Sequence, residues 1–212
     1  MATIAEIRKD YRLKSLNEQD AVSPFDLFRK WWQEAINAEI DEVNAMTLAT
    51  ASVDAVPSAR IVLLKGFDEK GFVFFSNYNS FKGQQLEENP RATLVFFWKE
   101  LERQVRITGL VSKTSEAESD EYYLSRPEGS RLGAWASPQS QVIKDRQWLE
   151  ANEQQFREQF QGKEVTRPPH WGGYRVRPVT IEFWQGRSSR LHDRLQFELI
   201  GDGIWRLERL AP

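Results

Sequence analysis

The chain has no cysteine and only two histidines, His170 and His192. Without cysteine there is no disulfide, thiolate nucleophile, iron–sulfur cluster or cysteine-ligated zinc, and two histidines argue against a histidine-rich metal site. Long hydrophobic runs are also missing, since no apolar stretch approaches the roughly 18 residues that a membrane helix needs. The segment Met1–Lys14 alternates apolar and charged residues and lacks the apolar centre of a signal peptide. We therefore expect no metal, no membrane partner and a cytoplasmic location.

An excess of charge of one sign is likewise absent. Lys and Arg number 29 against 31 Asp and Glu, for a formal net charge of −2. This balance argues against a protein that binds nucleic acid by bulk electrostatics, although a local cluster of cations can still bind a small anion. The 212 residues are 40% hydrophobic and 12% aromatic, with eight Trp, which is enough for a sizeable core. We see no internal boundary and predict a single domain over residues 1–212.

Helical patterns occur in five places. Ser23-Pro24 has the N-cap and first-position residues of a helix start, and the apolar stripe after it should face the core. The predicted helices are a short N-terminal helix in residues 1–14 with Ile4, Ile7 and Tyr11 on one face, a helix with the stripe Phe25, Phe28, Trp32 and Ile36, and helices over 82–88, 115–124 and 145–160.

The remaining segments alternate apolar and polar residues and are separated by tight turns. Single helices are inserted among them, with no βαβ alternation, so we predict a mainly antiparallel β-barrel with peripheral α-helices. The small residues of 133–140 predict an irregular loop that lets backbone approach a ligand. The predicted strands are 46–53, 58–67, 71–77, 92–98, 103–113, 174–176, 179–184, 195–199 and 204–210.

One hairpin loop carries residues that a turn does not need. Residues 184–194 contain a Trp, a His and three Arg between two strand-like runs. Gly, Ser, Asn and Asp suffice for folding a turn. Arg supplies forked donors to phosphate or carbonyl oxygens, and Trp supplies a flat apolar wall. The loop therefore predicts a site that holds an anion against a flat ring.

Arg60 and Lys65 stand at the two ends of an apolar strand. Their odd spacing points them to opposite faces of an ideal strand. They serve two different anions, or one site if the strand twists or ends between them. The alternative is a buried strand whose charged residues reach solvent at its ends.

Three further segments have polar residues suited to a ligand. Lys82 stands at a helix N-terminus, which suits a phosphate, although a capped helix with a solvated lysine has the same pattern. Tyr122 and Arg126 share a helix face and Ser130 follows in a loop; all three can donate to a phosphate, although such pairs are also common surface contacts. Gln104 on an inward face can bind the polar edge of a ring.

Taken together, these segments resemble the pyridoxamine 5′-phosphate oxidase family, also called pyridoxine 5′-phosphate oxidase. The resemblance runs from about Ile4 to Pro212 in the order of the family. The matching segments are Arg60–Lys65, Leu101–Val105, Ser125–Pro127, Gly133–Trp135, Trp171–Gly173, Ile181–Gly186, Arg190–Arg194 and Arg209–Pro212.

The resemblance implies an FMN-binding split β-barrel that works as a homodimer, with FMN in a cleft between protomers. It also assigns expected roles to residues. The expected FMN contacts are Arg60, Ile61, Val62, Leu63, Leu64, Lys65, Phe75, Ser76, Lys82, Gln104, Gln139, Ser140, Trp184 and Arg194. The expected substrate contacts are Lys65, Tyr122, Arg126, Ser130, Arg190, Leu191 and His192, with Arg8 and Tyr11 in a lid segment. Arg190 and His192 are the expected catalytic pair beside the reacting carbon.

The implied reaction is oxidation of pyridoxamine or pyridoxine 5′-phosphate by O2 to pyridoxal 5′-phosphate, with release of hydrogen peroxide. Arg190 would stabilise the deprotonated amine or alcohol, and His192 would orient that group or accept its proton. Two other hypotheses stay open at this point. One is a split-barrel flavin reductase, and the other is a non-catalytic protein that binds FMN or a vitamin B6 phosphate.

The chain departs from the family pattern at two positions. Phe81 stands where the family often has Arg beside the phosphate-binding lysine, so one contact to the FMN phosphate is expected to be missing. The alternative is that Phe81 packs into the barrel. Phe75 stands where Tyr is frequent, which removes a hydroxyl but keeps the ring.

Overall fold

The computed structural model describes residues 3–212, so Met1 and Ala2 of the predicted N-terminal helix lie outside the described residues. Within this range one antiparallel sheet of nine strands is surrounded by five α-helices, which confirms the predicted fold class. The strands are β1 Ala45–Ala51, β2 Pro57–Leu63, β3 Gly66–Asp68, β4 Gly71–Asn77, β5 Arg91–Trp98, β6 Arg103–Lys113, β7 Trp171–Gln185, β8 Asp193–Gly201 and β9 Ile204–Leu210. The helices are α1 Pro24–Asn37, α2 Phe81–Glu88, α3 Glu116–Leu124, α4 Glu128–Ala136 and α5 Arg146–Gln159.

The strand β7 organises the sheet. The strand order is β2-β1-β5-β6-β7-β4-β3, and β8 with β9 extends from β7. Strand β6 runs along β7 for most of its length, β4 pairs with its first half, and β8 pairs with its second half. Because β4 and β8 occupy different halves of one strand, β7 connects two distinct regions of the sheet.

Helix α1 closes one side of the barrel core. The Ser23 side chain caps it by accepting the Asp26 N–H, and Pro24 is its first residue, as predicted. The buried ring of Phe28 lies 4.8 to 5.4 Å, between ring centroids, from the rings of Phe67, Phe72 and Phe96. These edge-on contacts attach the helix to β3, β4 and β5.

The predicted core stripe of α1 was wrong at its last member. Ile36 is exposed, whereas Trp31 and Ala35 are buried. Ile36 stands roughly 80° around the helix from Phe28, at the edge of the apolar face. Ala35 is closer to the centre of that face and occupies the buried position instead.

The predicted N-terminal helix is also wrong. Only the 3-10 turn Ile4–Glu6 forms, and Ile4 and Ile7 are exposed. A short amphipathic segment forms a stable helix only where its apolar face packs. Ile4 and Ile7 do not pack, and residues 7–16 instead run without regular structure across the ends of other elements.

Three other boundaries differ from the prediction. The strand predicted over 58–67 ends at Leu63 and restarts at Gly66. The strand predicted to break at Pro178 continues as β7, because β7 bulges at Val179, opposite the Thr108–Gly109 step of β6, and this bulge accommodates the proline. Gly109 is required there, since a Cβ atom would lie 2.1 Å from the Arg177 carbonyl oxygen.

Helix α4 was missed by the sequence reasoning. Ser130 and residues 133–136, predicted as loop, are helical. Its N-cap is Pro127, which makes no side-chain cap, so the usual start signal is missing. The helix is held from outside instead: Tyr123 of α3 donates its hydroxyl to the Arg131 carbonyl, 2.7 Å away.

Candidate functional site

A cavity of about 590 Å³ lies between β2, β4, α3 and α4. Here it is called the cation pocket. Its lining brings together eleven of the residues predicted to bind cofactor or substrate, from five separate stretches of the chain. They are Ile61, Val62, Leu63, Lys65, Phe75, Ser76, Lys82, Tyr122, Arg126, Ser130 and Gln139.

Lys82 is buried at the start of α2, after the Ser80 cap. Its ammonium donates to the Ser76 hydroxyl at 2.9 Å, the Gln139 carboxamide oxygen at 2.9 Å and the Ser80 hydroxyl at 3.2 Å. Burial, and then the charge of Arg60, lowers the pKa of Lys82 to about 8. These three neutral acceptors thus orient the Lys82 ammonium without cancelling its charge.

Arg60 is held in the same manner. Its guanidinium donates to Thr50 Oγ1 at 2.6 Å and to Ser58 Oγ at 2.7 Å. Both hydroxyls donate in turn to the Oε1 atom of buried Gln85, at 2.6 and 2.7 Å. Burial lowers the pKa of Arg60 as well. The Gln85 Nε2 atom is buried without a partner, so this network is incomplete within the described chain.

None of the four cations of this region has a carboxylate partner. Among residues 3–212, no Asp or Glu oxygen lies within 4.0 Å of the charged nitrogens of Arg60, Lys65, Lys82 or Arg126. Lys82 is buried, and Arg60 and Arg126 are half-buried. Burying a cation without a counter-ion is costly, and an entering anion removes that cost. The chemistry of the donors therefore fits phosphate groups.

Arg126 contributes a second anion-binding group beside the first. Its guanidinium lies 4.6 Å from the ring centroid of Trp171 and 5.7 Å from that of Tyr123. Its Nη1 atom is buried without a hydrogen-bond partner, and burial lowers its pKa. Lys65 lies 5.8 Å from the ring centroid of Tyr122, in the same pocket. Aromatic faces hold these two cations, and their donors stay available for an anion.

One wall of the cation pocket is a stack of three aromatic rings. The Phe75 centroid lies 4.0 Å from that of Tyr122 and 5.5 Å from that of Trp171, with interplanar angles of 21° and 12°. Gly173, paired with Phe75 across the sheet, makes this possible: a Cβ atom there would lie 2.8 Å from the Phe75 ring. The stack shows that Phe75 keeps a flat ring at this position without a hydroxyl.

Phe81 is exposed at the first position of α2. The alternative that it packs into the barrel is therefore wrong. Phe81 lies beside Lys82 in the sequence. The expected loss of one cationic contact to the FMN phosphate at this position stays a prediction.

A second cavity, of about 490 Å³, is called here the hairpin pocket. It collects Arg8 and Tyr11 from the N-terminal segment with Arg190 and His192 from the hairpin loop, residues 186–192. The ring of Trp184 lies 4.6 Å from that of His192 and 5.7 Å from that of Tyr11, between centroids. The predicted lid residues and the predicted catalytic pair therefore lie together, whereas Leu191 is exposed and does not line this cavity.

The backbone of the hairpin loop is strained. Ser189 and Arg190 are consecutive non-glycine residues with φ of 55° and 60°. Such conformations persist only where surrounding contacts impose them, and they concentrate at functional sites. The loop places the Arg190 side chain in the pocket without a carboxylate partner among residues 3–212.

One hydrogen bond assigns the tautomer of His192. The backbone N–H of Arg187 donates to His192 Nδ1 at 3.0 Å, so a neutral ring carries its proton on Nε2. Burial, and then the charge of Arg190, lowers the pKa of His192, which favours that neutral ring near pH 7. His192 thus offers an N–H donor to the pocket.

Gln104, Trp184 and Arg194 form one row across β6, β7 and β8. Arg194 donates to Glu182 at 2.9 Å and to the Ala211 carbonyl at 2.8 Å, and its pKa is raised by the Glu182 hydrogen bond. Leu64 is buried, and Ser140 is exposed with φ of 69°. Neither Leu64 nor Ser140 lines the cation pocket.

Within one chain, the predicted site residues fall into two separated groups. Phe75 of the cation pocket pairs with Gly173, at the beginning of β7, whereas Trp184 beside the hairpin pocket is at its end. At about 3.3 Å per residue these positions are separated by eleven residues, or up to roughly 36 Å, along the strand. One protomer therefore does not bring all the predicted cofactor contacts together.

Sequence reasoning missed several residues in and beside the cation pocket. Trp171 belongs to the matching segment Trp171–Gly173, but no contact with a ligand was predicted for it. Thr50, Ser58 and Gln85 had no local signal, because the first two meet only through the register of β1 with β2. Asn77 and Ser137 also line the cavity.

Two other features are absent from residues 3–212. No group of three or more His, Asp or Glu residues in this range is arranged to hold a metal ion. None of the helices in the same range is both long and apolar enough to cross a membrane.

Two family models match the chain. The model described as pyridoxamine 5′-phosphate oxidase matches residues 32–160. The model described as the pyridoxine 5′-phosphate oxidase C-terminal dimerisation region matches residues 171–212, which include β7, the hairpin loop, β8 and β9.

Similar proteins cover the chain nearly end to end. The pyridoxine/pyridoxamine 5′-phosphate oxidase of Trichormus variabilis is 58% identical over 211 residues, which are 99% of each chain. The pyridoxine/pyridoxamine 5′-phosphate oxidase 1 of Ralstonia nicotianae is 60% identical over 213 residues, covering 100% of each chain.

Solved structures show the same fold. PhzG from Burkholderia lata, in complex with tetrahydrophenazine-1-carboxylic acid, superposes with a TM-score of 0.87 at 32% identity, covering 94% of this chain and 98% of that one. A pyridoxamine 5′-phosphate oxidase-related, FMN-binding protein from Nostoc punctiforme has a TM-score of 0.71 at 16% identity, covering 91% and 99%. The predicted split-barrel fold is confirmed.

Proposed function

This chain belongs to the pyridoxamine 5′-phosphate oxidase family, and from that premise we propose that it oxidises pyridoxamine or pyridoxine 5′-phosphate to pyridoxal 5′-phosphate. FMN is the proposed cofactor, O2 the proposed oxidant and hydrogen peroxide the second product. The observation that carries this proposal is the set of four cations without carboxylate partners in and beside one pocket with a flat aromatic wall. Such a pocket suits phosphorylated ligands with planar rings.

The two cation pairs suit two different phosphates. Arg60 and Lys82, held by neutral acceptors, would bind the FMN phosphate together with Ser76 and Gln139. Lys65, Tyr122, Arg126 and Ser130 would bind the substrate phosphate. A protein that only reduces flavin has no use for the second set, which is why we prefer the oxidase to a flavin reductase.

Bound FMN would accept a hydride from the 4′ carbon of the substrate. The residues of the hairpin pocket would prepare that carbon. Arg190 would stabilise the amine or alcohol by its charge once that group has released its proton to water. His192 would orient the same group by donating from Nε2, since its Nδ1 already accepts a backbone N–H. Of the two roles considered for His192, we propose orientation and not proton removal.

We further propose that the active protein is a homodimer in which the hairpin pocket of one copy faces the cation pocket of the other. The separation of the two groups along β7 requires a second copy if one FMN is to meet both. The dimerisation region that matches residues 171–212 supports the same arrangement. Exposed Ile61, on β2 at the cation pocket, and Phe97, on β5, provide apolar surface for the contact.

The test is an aerobic assay of the purified protein with each of the two B6 phosphates. We expect bound FMN by absorbance, formation of pyridoxal 5′-phosphate, and hydrogen peroxide in equal amount. Unphosphorylated pyridoxamine is the control and should react poorly, because the Lys65–Arg126 group then has no ligand. Nicotinamide-dependent flavin reduction without pyridoxal phosphate would indicate the reductase. Binding without turnover would indicate a binding protein.

A further inference from the structure

Glu102 combines two unfavourable features that need a compensating contact. It follows the 3-10 turn Lys99–Leu101, between β5 and β6, and has φ of 55°, a conformation that non-glycine residues rarely adopt. It is also 2% exposed, although its side chain is charged. It does not line either pocket described above. A buried, strained carboxylate of this kind persists only where its surroundings hold it in place.

The Glu102 carboxylate binds the N-terminal strap, a name used here for residues 7–16. Its Oε2 atom accepts the backbone N–H of Arg12 at 2.8 Å and that of Leu13 at 3.1 Å. Its Oε1 atom pairs with the Lys9 ammonium at 3.3 Å. Three strap residues are thus held by one side chain that lies about ninety positions away in sequence.

The backbone of the same residue holds the hairpin loop. The Glu102 carbonyl accepts the N–H of Gly186 at 2.7 Å and the Nε2 group of Gln185 at 3.2 Å. Gly186 is the first residue of that loop. Glu102 therefore sets the strap and the loop at fixed positions relative to each other.

Between the strap contacts lies Tyr11. Its ring packs edge-on against Trp184 and lies 6.0 Å from the His192 ring, between centroids. Gly186 leaves room for it, since a Cβ atom there would lie 2.7 to 2.9 Å from Tyr11 side-chain atoms. Tyr11 and Arg8 line the hairpin pocket together with Arg190 and His192.

We propose that Glu102 is a positioning residue, which fixes the strap so that Tyr11 and Arg8 close the hairpin pocket over the reacting group. The kinetic part of this inference rests on the proposed function, whereas the structural part does not. Further along the strap, the Asp193 carboxylate accepts the Leu16 N–H at 3.1 Å and Glu34 pairs with Lys14. Loss of Glu102 should therefore release the strap up to Leu13 and leave Leu16 anchored.

Two variants separate the strap contact from folding. Glu102→Gly removes the carboxylate and suits the positive φ, so the fold should tolerate it. Glu102→Gln keeps an acceptor oxygen but loses the charge, and it should give an intermediate effect. Glu100→Gln is the matched control, because Glu100 is exposed in the same turn and forms no ion pair among residues 3–212.

The first measurement is amide hydrogen exchange on the FMN-loaded protein. In Glu102→Gly, exchange of the Arg12 and Leu13 amides should be at least about tenfold faster, with Leu16 unchanged. The Glu100→Gln control should match the wild type. Equal protection of Arg12 and Leu13 in wild type and Glu102→Gly would overturn the strap contact, whether or not the protein oxidises B6 phosphates.

The second measurement is steady-state kinetics with pyridoxamine 5′-phosphate. We expect KM to rise about tenfold in Glu102→Gly with a smaller loss of kcat, and Glu102→Gln to recover part of it. Tyr11→Ala should add little in the Glu102→Gly background, because both changes act on the same contact. Faster strap exchange with unchanged KM and kcat, or fully additive effects of the two substitutions, would overturn the positioning role.

Discussion

Cations are held differently in the cation pocket and around the hairpin pocket. In the former, Lys82 and Arg60 donate only to hydroxyl, carboxamide and carbonyl oxygens. Around the latter, Arg194 donates to Glu182, and Arg209 donates to Glu18 and Asp193. Neutral acceptors orient a cation and leave its charge, whereas carboxylates orient it and cancel the charge.

The acceptor of each arginine distinguishes those that stabilise the structure from those whose charge is available to bind an anion. The sequence of the hairpin region is rich in Arg, but most of those side chains tie β8, β9 and the N-terminal residues together. Arg190 and Arg8 are the exceptions among the hairpin-pocket arginines, with no carboxylate partner among residues 3–212. The partner of each cation is therefore more informative than the number of cations in a segment.

The largest effect should come from Arg190, which lines the hairpin pocket and has no carboxylate partner among residues 3–212. Arg190→Ala should lower kcat by about 10²–10³, because one charge that stabilises the transition state is lost. FMN content should not change. Arg187→Ala is the control, since the Arg187 guanidinium lies 3.8 Å from Asp193 and its backbone bond to His192 is kept. Equal losses in both variants would remove the distinction between the two arginines.

Lys82→Met tests whether the buried Lys82 ammonium increases the affinity for FMN while it lowers the stability of the apo protein. A charge-assisted hydrogen bond is worth about 1.5–3 kcal/mol, so the Kd for FMN should rise roughly 10–150-fold. The apo protein should nevertheless melt at a higher temperature, since an uncompensated buried charge is gone. Fluorescence titration of apo protein and a melting curve measure the two effects. A lower apo Tm would show that Lys82 is a structural residue.

The pH dependence of FMN binding follows from the same lysine. The pKa of Lys82 is lowered to about 8, so the protonated form that attracts phosphate is lost as the pH rises through 8. If only that form binds, the Kd should rise about tenfold between pH 7 and pH 9. Lys82→Met should flatten the profile. A wild-type profile that is flat over this range would contradict the assignment.

Gln85→Glu should make the cation pocket resemble the hairpin region. The new carboxylate still accepts from Thr50 and Ser58 but cancels part of the charge of Arg60. We expect FMN to bind more weakly, on the order of tenfold. Gln84→Glu adds the same charge at an exposed position of α2 and is the control. If both variants bind FMN equally well, the neutral acceptors do not matter.

Phe81→Arg should give the smallest effect and in the opposite direction. It adds a cation beside Lys82, but the position is exposed, so screening limits the gain in FMN affinity to about fivefold or less. The Tm should stay the same, because no core residue is changed. Weaker FMN binding would mean that a third cation is not accommodated at this phosphate site.

Much of the fold was determined by local sequence. The Ser23-Pro24 start of α1, the capping box of α3 and most strands were predicted within a few residues, because each depends on side chains that are close in sequence. Part of the candidate site was also visible, since Arg, His and Trp clustered around one hairpin have few structural reasons to be there.

Other features were decided only by tertiary structure. The N-terminal segment has a helical pattern but is held in an irregular path by Glu102 and Asp193, which lie far away in sequence. Helix α4 has no local cap, and β7 continues through Pro178 because it bulges at Val179 and then resumes its pairing with β6. These outcomes depend on long-range contacts that no local window contains.

The functional site divides in the same way. The sequence by itself determined which residue types were available, down to the two histidines and the cations of each segment. Tertiary structure decided which cations lack a carboxylate, which nitrogen of His192 carries the proton, and that the two groups of site residues lie at opposite ends of β7. Charge compensation, hydrogen bonding and distance are properties of neighbours in space, and strand register brings those neighbours together.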